Sequence, residues 1–189
     1  MKKKPTFEWA FLFWALGVAG CASHPLMMEK HEEKFGKAAP VISQSFASPQ
    51  ISSLDTWKVY LIASDPDGDM ENMVCTIDQP GVGTYPVSIT RVGPESRRRL
   101  SGYIYLNPAS PDDLNAVDLT LTVQVQDKAG HYSRPATFPL SINNTFRQEP
   151  PPPGVFRETD LGPVMIRLRS LLGEDGRSLF PRREFPHRR

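Results

Sequence analysis

An antiparallel β-sandwich of about seven strands is the fold class that this 189-residue chain predicts, and three observations carry it. Between residues 41 and 144, apolar and polar residues alternate in short runs, the period of a half-buried strand. Pro, Gly, Asp and Asn interrupt those runs every eight to fifteen residues. No stretch of helical period lies among them, so the crossovers that a parallel sheet requires are missing from the pattern.

The clearest run is residues 118–127, where Leu119, Leu121, Val123 and Val125 share one face and Thr120, Thr122, Gln124 and Gln126 the other. One face is core and the other wet. The same alternation marks residues 57–64, 72–77, 85–92 and 100–106, and residues 41–46 and 137–142 complete the seven. The turn at 127–135 and the loop Asp65-Pro66-Asp67-Gly68-Asp69 lie between such strands. Together they resemble the connections of bacterial immunoglobulin-like and cadherin-like domains, a resemblance covering residues 41–144 that implies architecture and says little about activity. The paired cysteines and third-strand tryptophan of antibody-type domains are missing, and Trp57 stands instead at the entry to the second strand.

The amino terminus reads differently. Lys2, Lys3 and Lys4 precede an apolar run from Trp9 to Ala19 that is too short to span a bilayer and has the length of a secretory h-region. Val18-Ala19-Gly20-Cys21 follows. That order resembles the lipobox of bacterial lipoproteins, which implies removal of residues 1–20, acylation of Cys21 and stable retention by several acyl chains. Ala22 and Ser23 after the cysteine, where the resemblance places Asp in inner-membrane proteins, imply the outer membrane. Residues 21–40 are polar with no sustained apolar face and read as a flexible tether. The sandwich then occupies residues 41–146.

Beyond it, Pro150 to Pro153 make residues 147–154 a stiff extended linker. Residues 155–189 form a basic segment in which Val164, Met165, Leu168, Leu171 and Leu172 share a helical arc, predicting a short amphipathic helix. The same letters also alternate as a strand from 164 to 169. The arc either lies back on the sandwich or docks on a partner, with Arg167, Leu168, Leu171 and Leu172 as the contact residues.

Lysine and arginine total 22 against 21 acids. The leader removes more base than acid, so the remaining chain is near neutral and no global field recruits nucleic acid. With Cys21 acylated, Cys75 has no intramolecular partner and is expected to be a buried thiol. Asp65, Asp67 and Asp69 bring three carboxylates into one turn, a density of hard oxygen ligands that suits calcium. The glycine and glutamate positions of an EF-hand are not matched; Asp127 or Glu71 would complete a looser site. The alternative is a tight turn in which Asp side chains cap backbone amides. His24, His31, His131 and His187 are scattered, and no nucleophile elbow, phosphate-cradling loop or activated cysteine stands out, so no catalytic residue is assigned. Arg97, Arg98 and Arg99 read as a solvated strand edge or an anion contact. Tyr103 and Tyr105 point away from the core, either as a sugar or protein surface or beneath a covering segment. The expectation is a non-catalytic, lipid-anchored envelope module that engages other envelope proteins, with a calcium-dependent or carbohydrate-binding adhesion module as the alternative.

Overall fold

A computed structural model describes residues 24–108 and 117–169. The leader, Cys21, Leu171, Leu172 and the arginine-rich end lie outside the described residues. Helix α1 (His24–Phe35) precedes strands β1 (Val41–Ala47), β2 (Gln50–Ile51), β3 (Trp57–Ser64), β4 (Met70–Gln79), β5 (Gly83–Thr84), β6 (Ser88–Arg91), β7 (Arg99–Leu106), β8 (Val117–Asp127), β9 (Ala136–Ile142) and β10 (Asp160–Pro163). One sheet runs β1-β3-β7-β10; the other runs β2-β9-β8-β4-β5, with β6 also paired to β4. The pairs β1–β3, β3–β7, β4–β8 and β8–β9 are antiparallel, while β2 joins β9 in parallel. This is an immunoglobulin-like sandwich.

The alternation explains the interior. Leu119, Leu121, Val123 and Val125 of β8 face Trp57, Val59, Leu61 and Ala63 of β3 and Leu100, Ile104 and Leu106 of β7 in one buried cluster. Trp57 is fully buried and its indole N–H donates to the Ser48 carbonyl at 2.8 Å, so the polar atom of the largest core side chain is satisfied. Cys75 is a free, buried thiol, pushed up to about 12 by burial and thereby held out of thiolate chemistry. All seven expected strands are present. The three additional ones are too short, or too far beyond the alternating region, to register as a pattern.

Two expectations are corrected. The tether at 21–40 contains helix α1, built from good helix formers and closed at Gly36, whose N–H donates to the Glu32 carbonyl at 2.9 Å. Its weak apolar face hid it, because the contacts that seat it are largely polar. No helix among the described residues is long and apolar enough to cross a membrane.

The second correction concerns residues 147–169, which are part of the domain rather than a free linker and helix. The Gln148 side chain accepts the Lys58 N–H, and the Glu149 N–H donates to Ser48 Oγ. Phe156 then packs on Tyr60, and Glu158 accepts hydrogen bonds from Tyr60 Oη at 2.8 Å and Lys58 Nζ at 2.9 Å. Strand β10 pairs in parallel with β7, and the chain continues extended toward β6 and β4. The Val164 N–H donates to the Tyr105 carbonyl of β7, the Met165 N–H to Ser88 Oγ of β6 and the Arg169 N–H to Tyr85 Oη just before β6. This strap crosses the open side of the sandwich. Strand alternation prevails over helical period because it buries Val164 and Leu168 in the core while Met165, Arg167 and Arg169 stay exposed. Leu168 is therefore a core residue rather than a partner contact, and Arg167 alone of the described contact candidates faces solvent.

Candidate metal centre

The connection from β3 to β4 and the end of β8 meet at the pole of the sandwich where the chain enters from α1. Asp65, Asp69 and Asp127 converge there, each buried, with ligand atoms all within 4.8 Å of one another. Asp65 and Asp69 belong to the acidic loop, and Asp127 is one of the two completing residues that the sequence suggested. Glu71 is not in the cluster.

Asp67 is not in it either. Its Oδ2 accepts the Ala38 N–H at 2.9 Å, outside the β-sandwich pole and against the segment that follows α1. The reason is local: Asp65 Oδ1 accepts the N–H groups of Asp67 at 2.9 Å and Gly68 at 3.4 Å, and Gly68 turns the chain with φ +77°. The capped turn and the metal cluster are thus served by different oxygens of one residue, since Asp65 Oδ2 is free of that turn.

Arg97 and Arg98 fasten the loop from the side. The Arg98 carbonyl accepts the Asp65 N–H, the Arg97 carbonyl accepts the Met70 N–H, and Arg98 Nη1 donates to the Pro66 carbonyl at 2.8 Å. Neither guanidinium lies in an ion pair with the three aspartates among the described residues. The arginine run therefore holds the acidic loop through the loop's backbone groups, and Arg97 Nε is itself buried with no hydrogen-bond partner among the described residues.

Asp65 Oδ2 and both carboxylate oxygens of Asp69 are buried with no hydrogen-bond partner among the described residues. Buried charges without a partner are among the costliest features a fold can carry. Burial, and after it the Asp69 carboxylate, raises the Asp65 pKa above the usual range against the lowering effect of the Asp67 N–H. Asp127 differs. Its Oδ1 accepts the N–H groups of Gly130 and His131 at 2.7 Å each, and its Oδ2 meets His131 Nδ1 at 2.9 Å. His131 Nε2 lies 3.3 Å from Glu32 Oε1 of α1. Burial works against the charged imidazole, but the bonds to Asp127 and Glu32 outweigh it and raise the His131 pKa. Sequence reasoning missed His131; its position four residues after Asp127 in a tight hairpin was the available signal.

The donors that face the cluster are oxygens. The two His131 nitrogens are bonded to Asp127 and Glu32, and the Cys75 thiol lies in the core. Three carboxylates with unused lone pairs on irregular connections suit a hard cation of flexible coordination.

The tyrosine surface has a different fate. Tyr103 and Tyr105 are half-buried in a ring cluster with Tyr60, and Phe46 and Phe156 pack on Tyr60 in turn. Lys58 Nζ sits 4.2 Å from the Tyr103 ring centre. This is the covered arrangement, in which the strap occupies the outer face of the sheet.

Comparisons with known proteins add a structural likeness. No family model matches the chain, and no curated protein matches it. A solved structure, the CARDB domain of the PF1109 protein from Pyrococcus furiosus in complex with di-metal ions, is similar to it with a TM-score of 0.31 and 11% identity. The likeness covers 57% of this chain and 90% of that one.

Proposed function

We propose that this protein is a non-catalytic, membrane-tethered envelope module whose immunoglobulin-like sandwich binds a calcium ion through Asp65, Asp69 and Asp127. The observation that carries the reading is the set of buried carboxylate oxygens, Asp65 Oδ2 and both of Asp69, left without donors among the described residues. Ionised aspartates this close repel by about 3 kcal/mol or more per pair at an effective dielectric near 20. A divalent cation turns that repulsion into coordination. Calcium fits better than magnesium because the donors come from separate connections with no octahedral preorganisation, and water completes the shell of six to eight oxygens.

The tether rests on the lipobox resemblance at Val18 to Cys21, which implies acylation at the first mature residue. Confinement to the membrane raises the effective concentration of the module toward envelope proteins, so modest contacts suffice. Met165, Arg167 and Arg169 on the outer side of the strap, with exposed Val87 and Ile89, offer apolar and basic groups to such partners.

Calorimetric titration of the full chain in detergent micelles with calcium tests the proposal. One ion per chain should bind, with magnesium much weaker. A Cys21→Ser chain should bind calcium equally well yet partition with the soluble fraction. A flat calcium titration overturns the metal reading, and unchanged membrane retention of Cys21→Ser overturns the tether.

A further inference from the structure

We infer that the ion fixes the amino-terminal helix to the sandwich, so that calcium sets the orientation of the domain relative to that helix. This inference rests on the metal reading above. Its basis is that both connections supplying the ligands also grip α1 or the residues just after it.

The loop 65–69 carries ligands at each end, and between them Asp67 accepts the Ala38 N–H at 2.9 Å. Gly36 is pressed against the same carboxylate: its φ is +110°, and a β-carbon there would sit inside the Asp67 side chain. The hairpin after β8 carries ligand Asp127, whose bond to His131 Nδ1 aims the far side of the ring at Glu32. Beside it, Lys128 Nζ lies 5.5 Å from the Phe35 ring centre. Thus Asp67, Lys128 and His131 form a seat for residues 32–38, each within four residues of a ligand.

The ligand connections cannot hold this spacing without cost while their carboxylates repel one another. Coordination draws the 65–69 loop and the hairpin into one arrangement, and the seat is then preorganised for the helix. By linkage, whatever the ion contributes to helix docking the helix returns to ion affinity. Helix α1 is twelve residues long, so when docked it moves with the sandwich as one body, and when undocked it lets the sandwich swing relative to it.

Hydrogen exchange of the α1 amides, read by mass spectrometry on the full chain in micelles with calcium or with chelator, tests the inference beside calorimetric ion binding. Exchange over residues 28–35 should slow about fivefold or more when calcium binds. Asp67→Ala leaves all three ligands in place; it should abolish most of that slowing and weaken calcium binding by a similar factor. Calcium binding with unchanged helix exchange, or equal slowing in Asp67→Ala, overturns the inference and leaves the metal reading standing. No calcium binding overturns both.

Discussion

A chain ended at Phe146 should lose several kcal/mol of stability, enough to unfold it or leave it marginal, although the cut falls after the last strand of the alternating region. The strap it removes supplies buried Val164 and Leu168 together with half-buried Leu161 and Ile166. Full burial of such side chains contributes about 1.5–3 kcal/mol each. The cut also frees the β7 edge, where the Tyr103 N–H donates to the Thr159 carbonyl, and uncovers Tyr60 and Tyr103. Domains of this size are held by about 5–15 kcal/mol in total. Urea unfolding of the two chains checks this: the shortened chain should show a large drop in midpoint or no cooperative transition. An unchanged midpoint would mean that the strap merely rests on the sandwich.

Asp69→Asn should reverse its effect with calcium. In chelator, the substitution removes one charge from a buried carboxylate with no hydrogen-bond partner among the described residues and should stabilise the fold by about 1–3 kcal/mol. In calcium at a hundred times the dissociation constant, the parent chain gains about 2.7 kcal/mol, which the variant largely forgoes. The order of the two melting temperatures should therefore invert between chelator and calcium. The same cluster gives a pH dependence of definite sign. Because the Asp65 pKa is raised on folding, the unfolded chain releases that proton first, and its ionisation opposes folding. Metal-free stability from this group is present in acid and is lost as pH rises from the ordinary carboxylate range through the folded pKa. With calcium the dependence runs the other way, since protons compete with the ion for the same oxygens. Thermal melts with and without calcium across that range check both signs.

The sandwich was legible because its strands are amphipathic by strict alternation. In β8 every second residue from Val117 to Asp127 is buried, and the sequence could be read face by face. The strap was not, because Val164 to Leu168 satisfies helical and strand periods alike, and the seam between the two sheets that decides the matter is a tertiary feature. Helix α1 escaped for the converse reason: its docking relies on Glu32, Phe35 and the backbone at Ala38 rather than on an apolar stripe. At the metal centre, Asp65 and Asp69 were legible from their density, and Asp127 only as a strand end whose convergence on the loop is a tertiary feature. Asp67 looked equivalent to its neighbours, yet residues alternating through a tight turn do not share a direction. The Asp65 cap and the positive φ at Gly68 send it toward α1.

The most direct measurement is anomalous diffraction from crystals of the protein grown with calcium. The account predicts a single strong peak between Asp65, Asp69 and Asp127, ringed by six to eight oxygens at about 2.3–2.6 Å. A structure in which that space is empty and the carboxylates share protons, or in which the ion sits elsewhere, would contradict it.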